Sequence, residues 1–379
     1  MEAQIRVAPE VRLGSTASGL RATLVAGADP SAEPDAVHGA GHGVTVGTGV
    51  GSRGPSGVPG VSLDVLAVRA LAAQRGDDVS ALTEVETTLS SLHLHSHTPR
   101  RRPDPEPVRP LDDHERKDLH RKAFRAARQQ VSVFRLAERR AAREEAEVQA
   151  DGFAAAAEVA HAVVGQHRAA ALEDRWADLA RNDRVTVIAE LEAEFTASGG
   201  SCTCIDAGWS EDGARGYVTV VVRYPRPDIV GEKGPGLSGN GRPMLRRRTV
   251  AERNAVYLGG LASLTLATAR HAISVAVAAD DVHVLIMRPT ESGTGLEPVY
   301  LGSLSREAVT LRPAAADPMP LLLSAAIRPL AFDGPAHDLA PLAPEADIEA
   351  VVGACVAALE DEALDAALGG AADGSAGTA

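Results

Sequence analysis

Aromatic residues are scarce in this chain, since Phe, Trp and Tyr together make up 3% of its 379 residues. Hydrophobic residues nevertheless account for 45% of the sequence, so a sizeable core is available, and it has to be built from Ala, Val and Leu. The shortage of rings leaves little on which unpaired nucleic-acid bases could stack. The length is sufficient for two or three domains.

Cysteine is also rare. The chain has Cys202, Cys204 and Cys355, an odd and low number that argues against a disulfide framework and predicts a reducing compartment. The first residues, MEAQIRVAPEVRLG, contain no apolar run of the kind found in a signal peptide. No uninterrupted apolar run of about 18 residues is present either, so no membrane contact is expected. We therefore predict a cytoplasmic protein.

Basic residues are outnumbered by acidic residues overall, and they are most concentrated in one segment. The formal net charge is -13, from 38 basic and 51 acidic residues, so nucleic acid should be repelled unless the basic residues are concentrated. The segment Arg116–Arg143 contains ten basic and two acidic residues, a local net charge of +8. Residues 341–379 contain acidic residues and neither Lys nor Arg.

The succession of sequence patterns predicts an α+β protein with a small glycine-rich β-hairpin module, a helical middle region and a C-terminal α+β domain. The predicted segments are the glycine-rich β module (1–64), short helices (65–97), a proline-rich linker (98–110), a helical region with a basic first half (111–197), the α+β domain (200–340), and an acidic helix with a disordered tail (341–379).

Individual strands and helices can be predicted within this outline. Strands are expected in the first module at Ile5–Val7, Val11–Leu13, Leu20–Val25 and Val44–Val46. The α+β domain should follow the order β-β-α-β-β, with GEKGPGLSGNGRP as a loop before its helix. That helix begins at a capping box, because Thr249 precedes Glu252 by three residues and the two side chains can satisfy the first backbone N–H groups. A last helix is predicted over Asp347–Leu368.

One glycine motif resembles a dinucleotide-binding turn. Gly49-x-Gly51-x-x-Gly54 follows a strand-like run, but Pro55 and further prolines and glycines come next. A pyrophosphate site needs a helix to begin at the third glycine, and no helix can begin there. Glycine turns between hairpins are the better interpretation, and no cofactor is predicted.

Metal-ligating residue types occur without a convincing spacing. His93, His95 and His97 would face one side only if the segment were extended, and a solvated linker is the favoured interpretation. Cys202-x-Cys204 lacks the two-residue spacing of zinc sites, and no second pair exists, so small core residues on one face of a strand are expected. No metal site is predicted.

The best candidate for a binding site is the turn before the capped helix. Arg246, Arg247 and Arg248 precede the helix, and Arg253 and Asn254 lie in its first turns, so an anion could bind beside the helix N-terminus. A solvated basic turn is the favoured alternative. Thr249 and Glu252 are assigned to the cap, so no catalytic residue is predicted.

The second candidate is the basic segment Arg116–Arg143. If it forms one helix, part of one face is shared by Arg125, Arg128, Arg135 and Arg139. These side chains could contact phosphate or the acidic C-terminal tail of the same chain. A solvated helix face is again the favoured alternative.

The N-terminal run IRVAPEVRLGSTASGLRATLV, followed by GVTVGTGVGSRGPSGVPGVSL, resembles the β module of bacterial proteins that carry domain of unknown function 4236. The matching residues are Ile5, Ala8, Pro9, Val11, Arg12, Leu13, Ser18, Gly19, Pro59, Gly60 and Leu63. Further segments with counterparts in the long forms of such proteins lie at 86–97, 120–147 and 246–270. Glu10, Gly14 and Ala17 depart from the pattern. Because the family is uncharacterised, the resemblance implies an organisation and no activity.

These observations favour a non-catalytic interaction or scaffold protein with an unidentified protein partner, because charge is segregated along the chain and no set of titratable residues converges by spacing. One alternative is an enzyme that acts on a phosphate-bearing substrate or nucleic acid, with Glu252, Arg253 and Asn254 at its site. Another is a nucleic-acid-binding protein that uses residues 116–143.

Overall fold

The computed structural model describes residues 5–16, 19–25, 62–104, 107, 109–131, 135–198, 201–293, 295–334 and 338–357. The chain divides into two compact units, of which the first comprises Met1–Arg100 with Asp178–Ala379 and the second comprises Arg101–Ala177. The α+β class predicted from the sequence is confirmed.

The elements follow one another along the chain in this order. The N-terminal part contains β1 (Val11–Thr16), β2 (Gly19–Leu24), α1 (Leu63–Arg75) and α2 (Val79–Ser91), and then come α3 (Asp113–Gln130), α4 (Leu136–Ala180) and α5 (Arg184–Ala197). The C-terminal part contains β3 (Cys202–Trp209), β4 (Gly216–Arg223), β5 (Lys233–Leu237), β6 (Pro243–Arg247), α6 (Val250–Val275), β7 (Asp281–Pro289), β8 (Leu296–Ser305), α7 (Arg306–Thr310), α8 (Met319–Ala325), β9 (Phe332–Asp333), β10 (Asp338–Leu339) and α9 (346–357).

A four-stranded sheet with the order β3-β4-β7-β8 is the centre of the first unit. Its two outer pairs are antiparallel, and β4 pairs with β7 in parallel. A parallel pair needs a crossover, and α6 supplies it between β4 and β7. The β-β-α-β-β order predicted for this domain therefore describes the sheet and its crossover helix.

The two faces of this sheet carry separate hydrophobic clusters because side chains alternate along each strand. On one face Val220 and Val284 pack with α6 in the larger cluster. On the other face Val221 and Leu285 pack in a second cluster with the α9 residues Ile348, Val351 and Cys355. The first part of the helix predicted over Asp347–Leu368 coincides with α9, and its remainder after residue 357 lies outside the described residues.

The N-terminal hairpin belongs to this first unit. β1 and β2 pair antiparallel, and the Ala8 N–H donates to the Ile205 carbonyl oxygen at 2.8 Å, which ties the hairpin to β3. Ile5 and Leu20 are buried in the second cluster. Ile5–Val7 is not a strand, which corrects the prediction, and Val44–Val46 lies outside the described residues.

The segment GEKGPGLSGNGRP was predicted as a loop, and this prediction was wrong, because it forms most of a hairpin. β5 pairs with β6 from Lys233↔Arg247 to Leu237↔Pro243, and Gly241 turns the chain with a φ of 72°. The glycines of this segment are not typical of a strand, but packing requires a glycine at position 234. A Cβ on Gly234 would lie 1.9 Å from the Arg248 guanidinium carbon. Long-range contacts, rather than strand propensity, select this structure.

The second unit pairs α3 with the N-terminal part of α4. The two helices run antiparallel, because Arg116 forms an ion pair with Glu158 and His120 lies 3.6 Å from Asp151. The segment 116–143 was treated as one helix in the sequence analysis, and the structure divides it between these two. Helix α3 ends at Val131, whose backbone is extended with φ -118° and ψ 127°. Val131 begins the run VSVF, and its β-branched and aromatic residues have low helix propensity, so a helix is expected to end there.

We expect opposite effects from alanine at two neighbouring glycines of α6. A Cβ on Gly260 would lie 2.5 Å from the hydroxyl of buried Tyr224, which donates to the Tyr257 carbonyl oxygen, whereas a Cβ on Gly259 would meet nothing within 4 Å. Gly260→Ala should therefore destabilise the first unit by about 1–3 kcal/mol. Gly259→Ala should stabilise it by about 1 kcal/mol, because alanine favours helix. Urea denaturation of both variants tests this, and equal effects would contradict the packing explanation.

None of the helices in the described part of the chain is both long enough and apolar enough to cross a bilayer.

Candidate functional site

The turn that begins α6 has the cap predicted from the sequence. The Thr249 hydroxyl accepts a hydrogen bond from the Glu252 N–H at 3.2 Å, and Glu252 Oε2 accepts one from the Thr249 N–H at 2.9 Å. Glu252 also accepts a hydrogen bond from Arg246 at 2.7 Å. That bond, together with the Thr249 N–H, lowers the pKa of Glu252 to about 2. This carboxylate is therefore committed to the helix start and ionised at neutral pH.

Arg248, a predicted anion-binding residue, is paired within the protein instead. Its Nη1 and Nη2 atoms both donate to the carboxylate of Glu86 on α2, each at 2.6 Å. The two side chains are 7% and 16% exposed, so the pair is nearly buried. A bidentate pair of this kind satisfies both partners and leaves Arg248 little capacity for an external anion.

The other three predicted residues lie around the same turn and differ in their contacts. The exposed Arg247 side chain forms no ion pair with any residue the structure describes, and the Arg253 Nε atom is buried without a hydrogen-bond partner in that same part of the chain. Asn254 donates to Asp338 at 3.0 Å. The structure thus brings the predicted residues together, but Arg246, Arg248 and Asn254 bond to side chains of this protein. The anion site stays a prediction, and Arg247 is its exposed cation that forms no ion pair with a described residue.

A row of polar residues that no sequence pattern indicates crosses the four-stranded sheet. Asp206 on β3 stands beside Thr219 on β4, Thr219 beside His283 on β7, and His283 beside Ser303 on β8. Each lies in a strand that is otherwise rich in valine, leucine or other buried residues. A single polar residue inside such a strand was the available signal, and only the strand register shows that the four residues align.

The chemistry of this row is that of a buried hydrogen-bonded network. Asp206 accepts a hydrogen bond from the Tyr217 hydroxyl at 3.0 Å and lies 3.1 Å from Arg184 Nε. The Tyr217 ring stacks on His283 with centroids 5.3 Å apart. Burial raises the pKa of Asp206, against the opposing effect of Arg184, and burial lowers the pKa of His283. Asp206 bonds to Tyr217 and Arg184, and the Thr219 hydroxyl lies 3.4 Å from His283 Nδ1, so we assign these three buried members of the row a structural role.

A second buried carboxylate, Glu192 on α5, joins three elements. It accepts hydrogen bonds from the Ala22 N–H on β2 at 3.0 Å, and from the Thr203 hydroxyl at 3.0 Å and the Cys204 N–H at 2.7 Å on β3. Burial raises the pKa of Glu192 to about 7, although these three donors favour the ionised form. Glu192 thus fastens the N-terminal hairpin to the edge of the sheet.

The histidines that alternate before the linker have separate structural partners. The His93 N–H donates to the Ser263 hydroxyl at 3.1 Å, whereas His97 stacks on His271 with centroids 4.3 Å apart. Burial lowers the pKa of His97 to about 4. Within the described ranges, no three or more His, Cys, Asp or Glu side chains form a group that could hold a metal ion. Cys202 and Cys204 are free thiols that contribute to the larger hydrophobic cluster, on one face of β3 as expected.

Eight of the ten basic residues of 116–143 are gathered toward one end of the α3–α4 pair, whereas Arg116 and Lys117 lie in the first turns of α3. Because the helices are antiparallel, the last turns of α3 and the first turns of α4 are neighbours, and both are basic. We call this set the basic tip, and its residues are Arg121, Lys122, Arg125, Arg128, Arg135, Arg139, Arg140 and Arg143. The expectation that Arg125, Arg128, Arg135 and Arg139 share one helix face is wrong, because the first two are on α3 and Arg139 is on α4.

Few members of the basic tip are paired. Arg121 bonds to Asp118 and Arg135 to Glu138, each within one helical turn. Five other members are exposed and form no ion pair with a described residue, namely Lys122, Arg125, Arg128, Arg140 and Arg143. This unpaired positive charge distinguishes the basic tip from the turn before α6, where Arg246 and Arg248 are neutralised locally.

The second unit also has an open groove of about 980 Å³ between the residues after Arg101 and the C-terminal half of α4. Its lining includes Arg102, Arg109, His161 and Glu173, of which Arg102 and Glu173 are hydrogen-bonded to each other. The mixed charge of the lining does not select a ligand class.

Comparison of the chain with protein-family models gave no match, and neither the curated proteins nor the solved structures contain a significant match. The resemblance to proteins with domain of unknown function 4236 stays a prediction that rests on the quoted residues.

Proposed function

We propose that this chain is a non-catalytic interaction protein whose basic tip binds an acidic surface of a protein partner. The observation that carries the proposal is the exposure, at one end of a helix pair, of five cationic side chains that form no ion pair with any residue the structure describes. The sequence-based alternative of an anion site before α6 has less free charge, because its arginines at positions 246 and 248 bond to glutamates.

The energetics of the basic tip support a partner of opposite charge. Like charges three or four residues apart on a helix, such as Arg125 with Arg128 and Arg139 with Arg143, destabilise that helix by about 0.2–0.5 kcal/mol per pair. An acidic partner would remove this repulsion and add charge-assisted hydrogen bonds to the guanidinium groups. Exposed and clustered cations also accelerate association with an acidic surface.

A protein partner fits the remaining features better than nucleic acid does. A long polyanion carries negative charge well beyond the basic tip and would be repelled by a chain whose total net charge is -13. An acidic patch on a protein can be small enough to contact the basic tip alone. Phe124, which lies between the tip residues Lys122 and Arg125 in α3, is half-buried and stacks with His120, so it is not presented to a base. Nucleic-acid binding through the same residues is the second candidate, and the unpaired cations are the observation in its favour.

A charge-reversal experiment tests this proposal. The full chain and the variant Arg125→Glu/Arg128→Glu/Arg140→Glu are used as baits in extracts of the native cell, and bound proteins are identified by mass spectrometry. We expect a specific partner to be reduced at least about tenfold on the variant, because close interfacial charge pairs couple by a few kcal/mol. The matched control is Arg12→Glu/Arg242→Glu/Arg247→Glu, which makes the same charge change at exposed arginines of the first unit.

Each outcome of this experiment has a defined meaning. Two results would identify nucleic acid, and not a protein, as the partner of the basic tip. They are loss of the captured proteins after nuclease treatment, and binding of a labelled duplex that weakens steeply as the salt concentration rises. Loss of the partner on the control variant alone would move the site to the first unit, where the three control arginines lie. Equal capture by all three baits would refute a role for the basic tip.

A further inference from the structure

A stripe of exposed apolar residues runs along α4, outside the face that contacts α3. We call it the valine stripe, and its residues are Val148, Gly152, Ala155, Ala156, Val159 and Val163. The three valines are 73%, 64% and 45% exposed. Val148, Gly152, Ala155, Val159 and Val163 follow one another at steps of three or four residues, and Ala156 lies four residues after Gly152, so the set shares one helix face. Asp151 and Glu158, which pair with α3, lie about 60° and 80° from Val148 around the axis on one side, and the stripe extends from Val148 mainly to the other side, so its residues lie outside the face that contacts α3.

The positions of the residues in the valine stripe are symmetric about one point on the helix. Val148 and Val163 are equally distant from the point between Ala155 and Ala156, and so are Gly152 and Val159. A second copy of α4 laid antiparallel on this face would therefore set Val148 against Val163 and Val159 against Gly152. A Cβ on Gly152 would meet nothing within 4 Å, so this position leaves room for a facing valine.

Charge along α4 favours the same arrangement. Residues 141–155 carry one arginine and four carboxylates, a net charge of -3, whereas residues 156–170 carry Glu158, Arg168 and two histidines, a net charge of zero with neutral histidines. An antiparallel pair places each acidic half against the half that contains His161, His167 and Arg168. A parallel pair would instead bring the two acidic halves together, which costs free energy.

We propose that the valine stripe is a self-association surface, on which α4 of a second copy of this chain packs antiparallel about the point between Ala155 and Ala156. This surface uses residues other than those of the basic tip, so its test and that of the partner-binding proposal can fail separately. A single helix face buries less area than a standard protein–protein interface, so the association is weak and reversible.

Sedimentation velocity of the full chain from about 10 μM to about 1 mM, a range suited to a small interface, measures this association. The wild type should shift from monomer to dimer across the range. Val159→Glu should weaken the association at least about tenfold, because the dimer would bury a charge in an apolar contact. Phe153→Glu is the matched control, since Phe153 is exposed on the same helix but lies off the stripe, and it should leave the association unchanged. Circular dichroism verifies that both variants keep their helices.

The orientation has its own test. A mixture of Val148→Cys and Val163→Cys proteins under mild oxidation should form the mixed disulfide dimer in preference to either symmetric one, with the wild type as control for the native thiols. Preferential self-linking of Val148→Cys would refute the antiparallel register. A wild type that remains monomeric at every concentration, or equal effects of Val159→Glu and Phe153→Glu, would refute the surface itself.

Discussion

Replacing Arg248 by methionine is expected to lower the free energy of unfolding by about 3 kcal/mol, because it leaves the Glu86 carboxylate nearly buried without its partner. The bidentate pair links α2 to the residue before the Thr249 cap, and its members are 162 positions apart in the chain. The Arg248 N–H also donates to the Glu232 carbonyl oxygen at 2.8 Å, so the backbone is held in place and the substitution removes mainly the side-chain contacts.

Urea denaturation of the full chain measures this effect, with Arg247→Met as the matched control. Arg247 is the neighbouring arginine, it is exposed, and it forms no ion pair with the described residues, so its variant should remain within about 0.5 kcal/mol of the wild type. The double variant Arg248→Met/Glu86→Leu should recover part of the loss, because both charges are then removed. If Arg248→Met is as stable as Arg247→Met, the pair contributes nothing to the fold.

Glu192→Ala should destabilise the first unit by about 3–5 kcal/mol, because three buried donors on β2 and β3 lose their acceptor together. The N-terminal hairpin should loosen most, since the Ala22 N–H bonds to this carboxylate. Hydrogen exchange measures the local effect as faster exchange over 20–24 than over α6. Glu291→Gln, at an exposed position, is the control. Unchanged exchange in the hairpin would show that other contacts hold it.

The same carboxylate should make stability depend on pH. Its pKa is raised from 4.5 to about 7, so the folded state retains the proton over a range in which the unfolded state has lost it. The contribution of this group is therefore complete below about pH 4.5 and is lost as the pH rises through about 7, by an amount on the order of 3 kcal/mol.

A comparison of wild type and Glu192→Gln at a series of pH values isolates this contribution from that of the histidines. Because the nitrogen of the substituted amide cannot accept a hydrogen bond, the variant should be the less stable protein at pH 5, and the difference should narrow toward pH 8. Burial lowers the pKa of His97, His271 and His283, which acts on stability in the opposite direction, but it does so equally in both proteins. A pH-independent difference would contradict the raised pKa.

Much of the fold was accessible from the sequence because its signals are local. The Thr249 and Glu252 pair predicted the start of α6 to the residue, and the predicted β-β-α-β-β order describes the four-stranded sheet with its crossover helix. The hairpin of β5 and β6 was missed because its glycines and prolines are typical of loops. Its existence depends on contacts such as that between Gly234 and the Arg248 guanidinium group, which no local pattern encodes.

The candidate sites show the same division. The sequence located the clustered arginines before α6 and in 116–143, since charge density can be counted. It did not show that Glu86 neutralises Arg248, or that the basic segment folds back as two helices so that its charges meet at one end. The row formed by Asp206, Thr219, His283 and Ser303 was inaccessible for the same reason, because strand register is set by tertiary packing.

By itself, the sequence determined the α+β class, the capped helix, the aliphatic composition of the core and the location of the positive charge. Only the tertiary structure decided which charges are neutralised within the protein and which remain exposed. The physical reason is that helix capping and side-chain periodicity act over a few residues, whereas ion pairs, strand register and burial join residues that are far apart in the chain.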